Sequence, residues 1–256
     1  MIGVFDSGLG GLSVLAALVD ALPRADYVYF ADTAHVPYGD KPEAFIQARV
    51  LTIGGELAER GCRMLVVACN TATAAAVQAL RAAHPDIPVV GVEPGIKPAA
   101  QSSVTRKIAV LTTESTARSE RLARLIREHA GQIFLHVEPC PGWATHVEQL
   151  QLDDPVLVAD ARKRLEPLLA AGVDRIVLGC THYSFLSPIL ETIIAGRAEL
   201  VDVADAIARR TLHLAGDALV GKGQLTLLAS ADVNRLHTAL PALGLQRLLA
   251  RIRQEL

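Results

Sequence analysis

Two cysteines occupy matching positions in the chain, and both stand where a thiol could do chemistry. Cys69 follows the apolar run MLVVA, and Cys180 follows RIVLG. A small polar residue comes directly after each thiol, Asn70 in the first case and Thr181 in the second. A lone cysteine at the end of a strand is most often a small buried hydrophobic residue. Two cysteines in matching contexts make that interpretation less convincing for this pair.

The residues after Cys69 predict the electrostatic environment of its thiol. The alanine-rich stretch 73–83 predicts a helix that begins just beyond this cysteine. Unpaired backbone N–H groups and the macrodipole at a helix N-terminus favour an anion. We therefore expect the pKa of Cys69 to lie below the roughly 8.5 of a free thiol, which makes the thiolate available as a base. The donors Asn70, Thr71 and Thr73 could also hold a carboxylate.

A glycine-rich loop follows the first apolar run, in GVFDSGLGGLS (Gly3–Ser13). A strand followed by glycines resembles a dinucleotide-binding fingerprint, but Ser13 stands where that pattern needs glycine or alanine, and Asp6 would repel a pyrophosphate. We interpret the loop as backbone that lets a small ligand approach closely, with Ser7 as a donor and Asp6 free to handle protons. The alternative is a tight turn that serves only packing.

The elements that must position these residues alternate between strands and helices, as in open parallel sheets. The first series of predicted strands is Ile2–Phe5, Tyr27–Ala31, Met64–Ala68 and Val89–Val92. After the Pro- and Ser-containing segment EPGIKPAAQSS, which suggests a crossing between domains, the second series is Ile108–Leu111, Ile133–Val137, Arg175–Leu178 and Glu199–Val201. Each series contains one strand that ends in cysteine and a polar residue.

The predicted fold class is α/β, with two pseudo-symmetric domains that each contain an open, mostly parallel sheet flanked by helices. We place the first domain at residues 1–94 plus 203–256, with Cys69, and the second at residues 95–202, with Cys180. The alternative is that any two βαβ series look alike at this level. Ligands in such folds bind beyond the carboxyl ends of the strands. We therefore expect the active site in the cleft between the domains, with the two thiols facing each other.

Composition and charge argue against several functional classes. The chain has 256 residues and a formal net charge of -2, which gives no electrostatic reason to expect nucleic acid or a membrane surface as a partner. No apolar run approaches the roughly 18 residues of a membrane span. Met1 leads straight into IGVF without the features of a signal peptide, so we expect a cytoplasmic protein. The four cysteines lack metal-site spacing, so we expect free thiols and no bound metal.

Five motifs occur in a fixed order along nearly the whole chain. They are FDSGLGGLSVL (Phe5–Leu15), ADTAHVPYG (Ala31–Gly39), VVACNTATA (Val66–Ala74), GVEPGIKPA (Gly91–Ala99) and VLGCTHYSFL (Val177–Leu186). In this order and spacing they resemble the cofactor-independent glutamate racemases. The resemblance implies interconversion of L- and D-glutamate, without a cofactor, in the cytoplasm of a bacterium that needs D-glutamate for peptidoglycan. No lysine in the sequence stands in a context that suggests a Schiff base with PLP.

The resemblance also implies roles for particular residues. Cys69 and Cys180 would be the catalytic bases on opposite faces of the substrate α-carbon, Cys69 for D-glutamate and Cys180 for L-glutamate. Asp6 would partner Cys69, while His182 and a glutamate, best matched by Glu148, would partner Cys180. The implied substrate-binding residues are Asp6 with Ser7, Tyr38 with Gly39, Asn70 with Thr71, Thr181 with His182, and Thr116.

Three other interpretations stay open from the residues alone. A related two-cysteine racemase could act on aspartate or another small acid, which a panel of amino acids would separate. A non-catalytic domain that senses a small carboxylate would cause no solvent exchange at the α-carbon. A cysteine hydrolase would leave the second cysteine without a role.

The resemblance further suggests a homodimer and bears on regulation. Some family members need a cell-wall precursor as activator, and they carry an extension ahead of the first strand. Here Met1 abuts that strand. We therefore expect activity without a nucleotide-sugar activator.

Overall fold

The strands form two separate parallel sheets. A computed structural model describes residues 1–215 and 221–253 of the chain. The first sheet contains β1 (Ile2–Asp6), β2 (Tyr27–Ala31), β3 (Met64–Val67), β4 (Val89–Gly91) and β9 (Leu225–Ala229), in the order β4-β3-β1-β2-β9. The second contains β5 (Lys107–Thr112), β6 (Phe134–Pro139), β7 (Arg175–Leu178) and β8 (Glu199–Val201), in the order β6-β5-β7-β8.

Helices connect the strands and cover the sheets. They are α1 (Leu12–Ala21), α2 (Glu43–Glu59), α3 (Asn70–Ala83), α4 (Ile96–Ser102), α5 (Glu114–Ala117), α6 (Glu120–His129), α7 (Trp143–Glu148), α8 (Pro155–Ala170), α9 (Ser187–Ile194), α10 (Ala204–Ala215) and α11 (Asn234–Ala242). Short 3-10 helices span Tyr38–Asp40, Thr181–Leu186 and Gln246–Arg251. In the described part of the chain, no helix combines the length and the apolar character that a membrane crossing requires.

The first sheet is buried on both faces, which explains its nearly continuous apolar strands. All five residues of β1 are buried. Val4 lies in the hydrophobic cluster that includes residues of α1 and α10, while Phe5 lies in the cluster that includes α2 and α3. The alternation of side chains along a strand thus sends successive β1 residues into helix layers on opposite faces.

The two sheets repeat the same strand order. The strands β4-β3-β1-β2 of the first sheet correspond to β8-β7-β5-β6 of the second, and β9 extends the first sheet beyond β2. Cys69 lies two residues beyond β3, and Cys180 lies two residues beyond β7, so the thiols occupy equivalent places. The predicted α/β class with two parallel sheets flanked by helices is confirmed.

The structure departs most from the sequence predictions in the last fifty residues. The sequence does not predict β9, because LTLLA is rich in leucine and alanine, which favour helices. Pairing with β2 along five residues overrides that preference. The chain then continues into the 3-10 helix that ends at Arg251, and residues 254–256 lie outside the described chain.

Candidate active site

Cys69 caps the N-terminus of α3. Its Sγ accepts a hydrogen bond from the backbone N–H of Ala72 at 3.4 Å, one of the donors that a helix start leaves free. The residue is only 6% exposed, and burial raises the pKa of its thiol well above the ordinary value, with the charges of Asp6 and Cys180 adding to the rise. The expectation of a lowered pKa at Cys69 is therefore wrong, because burial outweighs the hydrogen bond from the helix.

A hydrogen-bond chain leads from Cys69 to Asp6 through Ser7. The Cys69 thiol donates to Ser7 Oγ at 3.8 Å, and Ser7 Oγ donates to Asp6 Oδ1 at 3.4 Å. Asp6 is fully buried at the end of β1, where its Oδ1 also accepts the Gly8 N–H at 2.8 Å. Burial raises the pKa of Asp6. Asp6 thus reaches Cys69 through Ser7 rather than directly.

On the other side of the site, Cys180 faces a histidine. Its Sγ lies 3.7 Å from His182 Nδ1, and His182 Nε2 lies 2.7 Å from Glu148 Oε1, with all three residues buried. Burial alone would lower the pKa of His182, but contacts with Cys180 and Glu148 raise it well above the ordinary value. Burial alone would raise the pKa of Glu148, but His182 lowers it. At neutral pH the two side chains therefore form an imidazolium–carboxylate pair.

The two halves of the site touch through the loops that follow β1 and β7. Thr181 Oγ1 donates to Asp6 Oδ2 at 3.0 Å, so a residue beside one cysteine binds the carboxyl group that serves the other. The Leu9 N–H donates to Glu148 Oε1 at 2.6 Å. The groups around the two thiols are therefore one connected network rather than two separate clusters.

The glycines of the first loop permit this contact. A Cβ at Gly8 would lie 2.0 Å from Glu148 Oε1, and a Cβ at Gly10 would lie 2.5 Å from His182 Nδ1. The sequence-based interpretation assigns this space to a ligand. In the structure, the side chains of Glu148, at the end of α7, and of His182, after β7, occupy this space.

Hydroxyl and amide groups meet near the start of α3. Thr71 Oγ1 lies 3.1 Å from both Thr113 Oγ1 and Thr116 Oγ1. Asn70 is buried beside Thr71, and its Oδ1 has no hydrogen-bond partner among the described residues. Thr113 and Thr116 follow β5, so both halves of the molecule contribute donors here. Such groups can hold a carboxylate.

Tyr38 and Gly39 lie in a segment that an ion pair holds in place. Tyr38 Oη donates to Asp32 Oδ2 at 2.6 Å, and Arg49 donates to both oxygens of the same carboxylate at 2.9 Å. Burial alone would raise the pKa of Asp32, but the bonds from Arg49 and Tyr38 lower it to about 2. Gly39 packs against Thr113, where a Cβ would lie 2.9 Å from the threonine Cβ.

The remaining cysteines stand apart from this network. Cys62 is buried in the cluster beneath α2 and α3, and burial raises the pKa of its thiol to about 11. Cys140 is also buried, with its Sγ 3.4 Å from the backbone oxygen of Glu138. Cys69 and Cys180 are therefore the two cysteines that stand at equivalent strand ends and have side-chain neighbours able to carry a proton.

Residues 2–211 match the sequence profile of a family described as Asp/Glu/Hydantoin racemase. The chain belongs to this racemase family. A glutamate racemase from Pseudomonas entomophila (strain L48) is 41% identical over 249 residues, which are 96% of this chain and 94% of that protein. A glutamate racemase crystal structure from Bacillus anthracis has a TM-score of 0.85 at 30% identity, covering 95% of this chain and 94% of that chain.

A third relative was crystallised with small molecules. The glutamate racemase of Escherichia coli, in complex with L-glutamate and the activator UDP-MurNAc-Ala, has a TM-score of 0.82 at 33% identity and covers 94% of both chains. As a member of the racemase family, this chain is an isomerase, and its pair of parallel sheets is the architecture of the solved racemases.

The racemase motifs do not mark every residue that shapes the site. Arg49 lies outside them, and nothing in the sequence pairs it with Asp32. Tyr29 lies outside them too, although its buried hydroxyl donates to the backbone oxygen of Gly8 at 2.7 Å and so holds the glycine loop. Thr113 follows the strand β5 and has no motif of its own. Only the fold brings these residues to the site.

Proposed function

We propose that this chain is a glutamate racemase that interconverts L- and D-glutamate by two-base proton transfer without a cofactor. The observation that carries the proposal is the pair of buried thiols at equivalent strand ends, each joined to its own polar chain. A single base would tend to return the proton to the face from which it came, so inversion calls for an acid on the opposite face. Cys69 and Cys180 would supply one thiol and one thiolate.

The protonation of the two sides favours one starting state. The raised pKa of Cys69 keeps it a thiol, while the His182 imidazolium can donate its Nδ1 hydrogen to a thiolate at Cys180. In this state Cys180 removes the α-proton of L-glutamate: the Cα–H bond breaks and an S–H bond forms. Cys69 then gives its proton to the opposite face of the α-carbon, which yields D-glutamate and leaves a thiolate at Cys69. The reverse reaction begins from that thiolate.

The substrate assignment rests on the relatives and on the donors of the site. The P. entomophila relative is a glutamate racemase, and the E. coli relative was crystallised with L-glutamate. Donors on α3 and after β5 would stabilise negative charge that develops on the α-carboxylate in the transition state. The proposed binding residues are Asp6, Ser7, Tyr38, Gly39, Asn70, Thr71, Thr116, Thr181 and His182.

The proposed activity has consequences beyond the site. D-glutamate would be supplied for peptidoglycan synthesis, hence for cell-wall formation and cell shape, and the reaction would take place in the cytoplasm. We also propose that residues 1–94 plus 203–256 and residues 95–202 act as two domains around the substrate, and that the protein forms a homodimer.

Solvent deuterium tests the proposed mechanism. The purified protein, without added cofactor, is incubated with L-glutamate in deuterated water, and early samples are analysed for label at the α-carbon. Deuterium should appear mainly in D-glutamate, because the proton that is delivered comes from the opposite thiol. Equal early labelling of substrate and product would favour a single base, and no exchange at all would favour a binding domain.

A further inference from the structure

An arginine from the C-terminal segment reaches the polar chain that serves Cys180. Arg235 lies in the first turn of α11, outside residues 2–211 that match the racemase family. Its Nη2 donates to the backbone oxygen of Glu148 and lies 3.6 Å from Glu148 Oε2. The Arg235 side chain is 37% exposed, whereas that of Glu148 is 5% exposed. The guanidinium thus stands between solvent and a buried carboxylate.

The two oxygens of Glu148 have different surroundings. Oε1 accepts hydrogen bonds from the Leu9 N–H and from His182. Oε2 is buried without a hydrogen-bond partner among the described residues. The Arg235 guanidinium is too far from Oε2 for a hydrogen bond but close enough for an ion pair. The positive charge of Arg235 therefore offsets part of the free-energy cost of burying Glu148 Oε2 away from water.

We propose that Arg235 is a positioning residue for the Cys180 side of the site: it fixes the backbone at Glu148 and keeps the Glu148 carboxylate ionised opposite His182. Arg235 touches neither thiol and acts through Glu148 and His182. The inference rests on the proposed racemase function, since the Glu148–His182 pair matters for catalysis only if Cys180 transfers protons.

The sign of the pH effect follows from the charges that face Glu148. His182 and Arg235 stabilise its anion, while the carboxyl group of Asp6 interacts with Glu148 unfavourably. The net effect lowers the pKa of Glu148. The stabilising effect of its carboxylate on the His182 imidazolium is therefore present at neutral pH and is lost as the pH falls through that pKa. Removing the cation of Arg235 raises the pKa, so the contribution is lost at a higher pH.

The test compares pH profiles of kcat/KM for glutamate in Arg235→Met, Arg235→Lys and the wild-type protein. Arg235→Met should move the acid limb upward by about one pH unit, a modest shift because the arginine is partly exposed. Arg235→Lys keeps the positive charge, so its acid limb should lie close to that of the wild-type protein. The control Arg247→Met removes an exposed partner of Asp20 and should leave the profile unchanged. A uniform loss without a shift, or no rescue by lysine, would overturn the proposal.

A second measurement does not depend on activity. Urea unfolding midpoints at neutral pH are measured for Arg235→Met in the wild-type and the Glu148→Gln backgrounds. Arg235→Met should lower the midpoint in the wild-type background and lower it much less beside Glu148→Gln, because the neutral amide needs no cation. Equal shifts in both backgrounds would overturn the proposed contact. If Arg235→Met lowers the midpoint only where Glu148 is present, but the wild-type protein does not racemise glutamate, the contact stands and the proposed function alone is rejected.

Discussion

Different groups serve the two thiols. The Cys69 thiol donates to a serine hydroxyl that leads to a buried carboxyl group, whereas Cys180 faces a histidine that is paired with a carboxylate. A serine hydroxyl carries no charge, but an imidazolium does. The residues around Cys69 therefore favour a thiol, whereas a cationic side chain lies beside Cys180. The equivalent cysteines of the two sheets are thus electrostatically unequal.

Removal of either thiol tests their assignment as bases. Cys69→Ala and Cys180→Ala should each lower kcat in both directions by about 10²–10⁴-fold or more, because each direction needs a proton acceptor on one face and a donor on the other. Circular dichroism should show an intact fold in both variants. Cys62→Ala is the matched control, since this buried thiol lies outside the network, and it should keep most of its activity. Substantial racemisation by either of the first two variants would contradict the assignment.

Residue types could be predicted from the sequence more reliably than their environments. The motifs place Cys69 next to a helix start, and the structure bears this out. The sign of its pKa shift could not be predicted, because it depends on burial beneath residues that are distant in sequence. The same limit applies to Ser7, which stands between Asp6 and Cys69, and to Arg49, whose partner Asp32 is seventeen positions away.

The glycine loop after β1 is the element on which contact between the two halves depends. Gly8 and Gly10 leave room for Glu148 and His182, which come from α7 and from the turn after β7. Any side chain at these positions would enter the space of the polar chain that serves Cys180. The loop is also held by the hydroxyl of Tyr29.

A substitution in this loop should damage catalysis more than folding. Gly8→Ala places a methyl group 2.0 Å from Glu148 Oε1 and must displace that side chain. We expect kcat to fall by about 10²-fold, the cost of misplacing a catalytic constellation by about 1 Å. The control Gly55→Ala has no neighbour within 4 Å of the new Cβ, so it should retain activity and gain about 0.5–1 kcal/mol of stability within α2. Equal activity of the two variants would show that the loop tolerates displacement.

The segment around Tyr38 depends on the ion pair between Arg49 and Asp32, which gives it a defined pH dependence. The Asp32 pKa is lowered from 3.8 to about 2, so its stabilising contribution is present above the higher value and is lost as the pH falls towards the lower one. Arg49→Met should lower the free energy of unfolding at neutral pH by roughly 3 kcal/mol, the low end for breaking a buried pair, since Arg49 is partly exposed.

The pH series distinguishes loss of charge from loss of packing in this variant. Urea unfolding is followed from neutral to acid pH, and the difference between wild type and Arg49→Met should shrink as Asp32 becomes protonated. The control Arg60→Met breaks an exposed pair with Glu56 and should change stability by less than about 1 kcal/mol. A difference that stays constant down to acid pH would mean that Arg49 acts through packing alone.

Elements with strong local signals could be predicted, and those that depend on tertiary contacts could not. The predicted strand Tyr27–Ala31 agrees with β2 to the residue. The strand β9 could not be predicted from its own residues, because its strand conformation depends on pairing with β2. The short helix α7 begins after Gly142 in a left-handed conformation and carries Glu148, but six residues are too few for a helical period to stand out.

At the scale of the whole molecule, one strand order is used twice with different chemistry at the two thiols. The sheets place Cys69 and Cys180 equivalently, and bonds such as that from Thr181 to Asp6 join the halves. Enantiomers have equal free energies in water, so the equilibrium constant of racemisation is one at every pH. A variant must therefore change kcat/KM by the same factor for L-glutamate and for D-glutamate. A difference between the surroundings of the two thiols can appear only in whether that change falls on kcat or on KM for each enantiomer.

His182→Asn tests this asymmetry, because it removes the cation from one half only. A thiolate at Cys180 becomes less stable, so fewer free molecules are ready for L-glutamate, and KM for L-glutamate should rise. From D-glutamate, Cys180 must end as that unsupported thiolate, so the loss should appear mainly in kcat. We expect kcat/KM to fall by about 10²-fold in both directions. Full kinetics with each enantiomer measure this division. If the fall in kcat/KM divided between kcat and KM in the same way for L-glutamate as for D-glutamate, His182 would serve both faces of the substrate alike. The surroundings of the two thiols would then not be electrostatically distinct.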